Sequence, residues 1–199
     1  NNGHEVLIIN DGSTDGSKKI LSKSNFINLI NLNTNKGKGS ALIKGLKTAK
    51  NKKIIIFDGD LELDPKDIEK LMILNRVENI NSVFANRIYN GFSFSIWNIG
   101  NKLFTILFNF MNSSNLKDAL CCAKAFYRSN IEINKLKSKK FDIDVEISSN
   151  LVKINPSVKN IDINYYRRTI HEGKKLRLRD SFSIFFKIIQ NRKIFKYKL

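Results

Sequence analysis

The 199 residues are enough for one domain with a substantial core, and 42% hydrophobic with 27% charged residues is an ordinary globular balance. Cys121 and Cys122 are adjacent, which excludes a disulfide framework and offers no metal-ligand spacing, so a reduced, cytosolic chain is expected. The net charge of +17 requires a partner of opposite sign; nucleic acid, anionic lipid and phosphorylated substrate all qualify, and eleven Lys and Arg residues fall between Tyr165 and Leu199.

Residues 1–5 lack a basic region followed by an apolar run, which reads as neither signal peptide nor anchor. Residues 5–9 are short and apolar and end in Asn10-Asp11-Gly12-Ser13, the pattern of a buried strand stopping at a turn. Residues 14–17 then cap a helix running through Leu21. A second strand is predicted over 26–32, a Gly-rich loop over 35–39, a helix over 40–49 and a third strand over 54–57, which runs straight into Asp58. Pro65 opens a helix over 66–74, at the first-turn position where proline is tolerated.

This alternation predicts an α/β domain with a largely parallel sheet. Ligands of such sheets sit at the carboxyl ends of the strands, where both Asp11 and Asp58 fall. Residues 92–111 read as a helix whose apolar arc is wider than one core contact needs. Strands follow over 123–127 and 161–165, and a helix over 145–153. A last helix over 181–193 sets Phe182, Phe185, Phe186, Ile188 and Ile189 among basic residues.

Asp58-Gly59-Asp60 places two carboxylates two residues apart just beyond a buried strand, with Glu62 and Asp64 close behind. Such oxygen ligands suit Mg²⁺ or Mn²⁺, with substrate phosphates filling the other positions. An acidic turn capping the next helix explains the same residues. The Asn10–Asp15 segment is equally an Asx turn. Lys38-Gly39-Ser40 reverses the P-loop ending, so a nucleoside triphosphatase is not supported. Asp142, Asp144 and Glu146 fit a solvated helix start favoured by the dipole.

Taken in order, the segments are Asn-Asp-Gly-Ser-Thr-Asp (10–15), Asn-Lys-Gly-Lys-Gly-Ser-Ala (35–41) and Phe-Asp-Gly-Asp-Leu-Glu-Leu-Asp-Pro (57–65). Ala85-Asn86-Arg87, the run from Asp118 through Phe126, residues 141–146 and Arg168-Thr169-Ile170-His171-Glu172-Gly173-Lys174-Lys175 follow. The series resembles family 2 glycosyltransferases, in the branch that includes dolichyl-phosphate mannose synthases and bacterial polyprenyl-phosphate glycosyltransferases.

The resemblance implies a GT-A fold, Rossmann-like, with a mostly parallel mixed sheet flanked by helices, making one domain over 1–199. The family's opening strand and its Pro-x-Tyr-Asn-Glu-like motif have no counterpart, so the resemblance implies a domain incomplete at its N-terminus, either a piece of a longer product or a variant without that unit, the latter exposing an unpaired strand. Asp11, Gly37, Lys38 and Asp58 would bind the nucleotide of a sugar donor, and Asp58 and Asp60 would hold Mg²⁺ or Mn²⁺ against its diphosphate. Arg87, Lys124, Arg168 and Lys174 would bind the acceptor or the diphosphate.

A polyprenyl-phosphate acceptor is already anionic and needs cationic positioning. A saccharide hydroxyl instead needs a general base, with Asp144 or Glu146 as candidates beside Asp60 in the catalytic set. The helices over 92–111 and 181–193 would then meet an anionic membrane surface, placing the protein at the cytoplasmic face. Nucleic acid is not an expected partner of this enzyme, although a non-catalytic basic protein binding nucleic acid or lipid also accounts for the charge. Self-association into a homo-oligomer stays open.

Overall fold

The apolar runs read as strands form two sheets in the computed structural model, which describes residues 3–89, 96–168 and 180–192. β1 (Leu7–Asn10) and β2 (Asn28–Asn31) pair in parallel, with Ile9 opposite Ile30. The larger sheet has the order β3 (Lys53–Ile56), β5 (Lys124–Tyr127), β4 (Ser82–Tyr89) and β6 (Lys159–Tyr165). β5 runs antiparallel to β3 and to β4, whereas β4 and β6 are parallel. Three of the four strands therefore share a direction, as a mostly parallel mixed sheet requires. Among the described residues β1 pairs only with β2 and β3 only with β5, so each presents an open edge.

Burial on both faces explains why β4 carries no alternation in its sequence and was not predicted as a strand. Phe84 joins Ile54, Ile56 and Phe126 under a helical layer, while Val83 and Ala85 join Ala123, Ala125, Tyr127 and Ile163 on the opposite face. The helical layer consists of α2 (Lys38–Thr48), α4 (Ile96–Asn112), α5 (Ile143–Ile154) and α6 (Asp180–Gln190). It contributes Leu46, Phe108, Ile143, Ile147, Leu151, Ile184 and Ile188 to the core. Leu63, Leu71 and Leu74 cover the other face.

Two short helices complete the chain. α1 (Ser17–Leu21) follows Gly16, and Asp15 accepts hydrogen bonds from the Ser17 amide and hydroxyl at 3.1 and 2.6 Å. The helix predicted over 66–74 is shorter than its pattern. A 3₁₀ turn (Pro65–Asp67), capped by Asp64 on the Lys66 amide, leads into α3 (Ile68–Leu71). The chain then reverses in the tight turn bridged by Asn75 and Ile80, which feeds it into β4. The predicted helices over 92–111 and 181–193 are described from Ile96 and through Arg192; residues 92–95 and 193 lie outside the described set. No helix among the described residues is long and apolar enough to cross a membrane.

This topology gathers chemistry at one edge. β3 and β6 deliver Asp58 and Arg168 just past their carboxyl ends, and Arg87 sits near the same end of β4. Antiparallel β5 starts there, with Lys124 opposite both Ile56 and Phe84.

Candidate functional site

Asp58 and Asp60 project from a turn whose Leu61 holds φ at +62°, a left-handed conformation costing a non-glycine residue about 1–2 kcal/mol. The turn is closed by the Glu62 amide, which donates to Asp60 Oδ1 at 3.1 Å. Both aspartates meet a cation. Lys38 Nζ bridges Asp58 Oδ2 at 2.7 Å and Asp144 Oδ2 at 2.8 Å, tying α2, the turn after β3 and the first turn of α5 together. Arg168 donates from Nη2 to Asp60 Oδ2 at 2.8 Å, and its amide donates to Glu62 Oε1 at 3.0 Å. Glu62 also accepts the Tyr165 hydroxyl at 2.7 Å.

Burial disfavours the charge on Lys38, but Asp144 and Asp58 outweigh it and hold the ammonium pKa well above the ordinary lysine value. Burial likewise works against the Asp58 carboxylate, and the charge and hydrogen bond of Lys38 overcome it, leaving the pKa below the usual range. Tyr165 is pushed above its ordinary value, first by burial and then by its bond to Glu62.

The Gly-rich loop approaches this cluster from the other side. Asp11 accepts the amides of Lys36 at 2.8 Å and Gly37 at 2.9 Å, so in this structure its carboxylate shapes the loop. Gly37 has φ of +92°, and a Cβ there would lie 2.4 Å from the Lys139 carbonyl oxygen. At Gly39 a Cβ would lie 2.2 Å from the Ser138 carbonyl oxygen. Only glycines let the start of α2 come this close to the neighbouring backbone.

Three of the expected site residues do other work. Arg87 forms a two-pronged pair with Asp118 at 2.6 and 2.9 Å, and Asp118 also accepts the amides of Leu120 and Cys121. Burial opposes both charges, yet the pair holds Asp118 below and Arg87 above their usual ranges. Lys124 does not line an open cradle: it is 1% exposed, donates to the Cys121 carbonyl and lies over the Phe84 ring. Its place in the middle of the sheet puts it beneath the site, where its charge lowers Asp58 and Asp118 without reaching solvent.

Glu146 does not join the Lys38 cluster either. Its buried carboxylate accepts the amides of Lys137 and Ser138, with Ser138 at 2.8 Å. Lys174 lies outside the described residues. Cys121 and Cys122 are both buried, as small apolar residues would be.

The arrangement is therefore a carboxylate turn at the carboxyl edge of an α/β sheet, neutralised by Lys38 and Arg168 and flanked by a glycine loop. Solved structures share the fold. Mannosyl-3-phosphoglycerate synthase from Rubrobacter xylanophilus superposes with a TM-score of 0.72 at 14% identity, covering 94% of this chain and 62% of its own. Glucosyl-3-phosphoglycerate synthase from Mycobacterium tuberculosis, in complex with Mn²⁺ and UDP-glucose, gives 0.67 at 15% identity, covering 94% and 67%. At such identities the likeness defines a GT-A-type fold.

The family follows from the sequence. The profile of Glycosyl transferase family 2 matches residues 1–134, and the chain belongs to that family. It is similar to the dolichyl-phosphate beta-glucosyltransferase of Dictyostelium discoideum, 26% identical over 90% of this chain and 58% of that protein. It is also similar to the undecaprenyl-phosphate 4-deoxy-4-formamido-L-arabinose transferase of Aeromonas hydrophila, 35% identical over 35% of this chain and 23% of that protein. The chain thus spans little more than half of one of these relatives and about a quarter of the other.

Proposed function

We propose that the protein transfers a sugar, with inversion, from a nucleotide-diphosphate donor to a polyprenyl phosphate, with a divalent metal at Asp58 and Asp60. The observation carrying this is the pair of part-exposed carboxylates, each already drawn to a cation, at the sheet edge beside the Gly37–Gly39 turn, whose Lys38 reaches Asp58. Side-chain exposures of 33% for Asp58 and 32% for Asp60 leave both accessible. Hard oxygen ligands fit Mg²⁺ or Mn²⁺, and no ready-made cage of three or more His, Cys, Asp or Glu exists among the described residues. A site of that kind is completed by the substrate's own phosphates.

When bound, such a metal neutralises the charge that develops on the departing nucleoside diphosphate. The chain's own residues do the rest. Asp11 and the glycine loop shape the nucleotide pocket, and Lys38 and Arg168 supply cationic charge beside the diphosphate. Arg168 and Lys174 are the acceptor-side cations; Arg87 serves by holding Asp118. An acceptor phosphate is anionic near neutral pH and needs orientation more than deprotonation.

A second reading, transfer to a saccharide hydroxyl, is favoured by one feature. Asp144 lies across Lys38 from Asp58 and is the α5 carboxylate that this reading would use as the base.

The lipid reading also accounts for the exposed faces of two neighbouring helices. On α4, Leu103, Ile106 and Phe110 are 57–76% exposed, and on α6 Phe182 and Phe186 are 70% and 65% exposed. With a net charge of +17, an anionic bilayer surface on the cytoplasmic side is the occupant that matches both properties.

The test is transfer by the full-length protein from a panel of nucleotide sugars to undecaprenyl and dolichyl phosphate, against oligosaccharide acceptors, with Mn²⁺ or with chelator. Metal-dependent, inverted, lipid-linked product is expected. Product on saccharide hydroxyls alone would establish the second reading, and no transfer to either acceptor would contradict both.

A further inference from the structure

We propose that Glu146 is a positioning residue for the nucleotide end of the site, acting through the backbone at 137–139 on the Gly37–Gly39 turn. The proposal rests on reading this site as a nucleotide-sugar site, and it changes the part played by a residue whose pattern suggests a base.

Asp144 and Glu146 are two residues apart on α5, which turns them about 200° from one another around the helix. Asp144 therefore faces Lys38, and Glu146 faces the segment that precedes the helix. There, Glu146 Oε2 accepts the Lys137 amide at 3.1 Å and the Ser138 amide at 2.8 Å, while Oε1 lies 3.2 Å from the Lys137 nitrogen. Lys187 of α6 stands 3.9 Å from Glu146 Oε1 and 3.8 Å from Asp142, supplying the countercharge. Both Glu146 oxygens are thus engaged by backbone amides, and the residue is 5% exposed, which sets it apart from Asp144, whose contact is to Lys38 through Oδ2.

What the segment does is visible on its other side. The Ser40 amide donates to the Lys139 carbonyl at 3.2 Å, and the carbonyls of Ser138 and Lys139 press against Gly39 and Gly37 so closely that neither position admits a Cβ. From the opposite side Asp11 accepts the amides of Lys36 and Gly37. The turn is thus clamped between two carboxylates that act on backbone amides, Asp11 directly and Glu146 through the 137–139 segment. Lys38, between the two clamped glycines, is the residue that reaches Asp58 and Asp144. Removing the Glu146 carboxylate frees Ser138 and Lys139 from α5 and lets the turn and Lys38 drift from the aspartates.

The test compares the full-length wild type with Glu146→Ala and Glu146→Gln. Calorimetry with Mn²⁺ and each of UDP, GDP, CDP, dTDP and ADP measures nucleotide binding, and hydrogen exchange follows the Lys137 and Ser138 amides. For whichever diphosphate the wild type binds, Glu146→Ala should weaken binding by about tenfold or more, as loss of a supporting shell does, and should unprotect both amides. Glu146→Gln keeps one oxygen where Oε2 now holds both amides, so binding should stay within about fivefold of wild type.

A folded Glu146→Ala protein that binds as wild type does would overturn the proposal. Where Glu146→Ala fails to fold, Glu146→Gln alone decides. Retained turnover supports positioning, whereas a fall of about a thousandfold in kcat with the donor KM unchanged marks a general base and overturns it. Wild-type protein that binds none of the diphosphates with metal would remove the site reading itself, an outcome separable from either variant's behaviour.

Discussion

Replacing Lys38 by Met keeps the length of the side chain and removes its charge, which isolates what the ammonium does. Asp58 Oδ2 and Asp144 Oδ2 touch the same nitrogen at 2.7 and 2.8 Å, so the two oxygens can be no more than about 5.5 Å apart. Without the cation they face each other as like charges, and at an effective dielectric of about 20 that repulsion is roughly 3 kcal/mol. Asp58 is one-third exposed and partly screened, which reduces the expected loss of stability to about 2 kcal/mol at neutral pH. Urea unfolding without metal should show this loss. Titration with Mn²⁺ should then stabilise Lys38→Met more than wild type, because the divalent ion meets Asp58 with no resident cation while Arg168 still holds Asp60. Unchanged stability, or equal stabilisation of both proteins by Mn²⁺, would refute the argument that Lys38 neutralises these carboxylates.

Two other perturbations probe separate parts of the molecule. Asp118→Asn leaves the largely buried Arg87 without its countercharge and should cost about 3–5 kcal/mol at pH 7. Because the folded-state pKa of Asp118 is depressed, its contribution is fully present above the ordinary aspartate range and is lost as the pH falls through the lowered value. The gap between wild type and Asp118→Asn should therefore be wide at pH 7 and narrow in unfolding measurements carried progressively below pH ~4. Phe110→Glu combined with Phe186→Glu, at two exposed positions on α4 and α6, should weaken flotation with phosphatidylserine vesicles by about tenfold or more without shifting the thermal midpoint appreciably.

Much of the site edge was legible in the sequence because strand ends and turn chemistry are local. The apolar runs ending at Asp11 and Asp58 placed both carboxylates at one edge, and the structure puts them after β1 and β3. The element missed was β4. It is central and buried on both faces at its start, then polar at Asn86 and Arg87, so neither alternation nor a long apolar run marks it.

Side-chain partners were not legible, since they depend on separations the sequence does not reveal. Arg87 meets Asp118 from 31 residues away, and Lys38 meets Asp144 from 106. The motif around Lys124 points to an acceptor ligand, but the register opposite Ile56 and Phe84 buries the side chain. Glu146 differed from Asp144 only by helical phase, a distinction that appears once α5 is seated between α2 and α6. The 137–139 backbone, which no side-chain motif advertises, proved to be the surface against which the glycine loop is fitted.

The central claim is that Asp58 and Asp60 hold a divalent metal against a nucleotide diphosphate. It is tested most directly by titrating the full-length protein and its Asp60→Asn variant with nucleoside diphosphates in the presence and absence of Mn²⁺. The account predicts wild-type binding that depends on the metal and collapses in Asp60→Asn, while vesicle binding is left intact. Wild-type binding that ignores Mn²⁺, or an Asp60→Asn protein that binds metal and nucleotide as tightly as wild type, would contradict it.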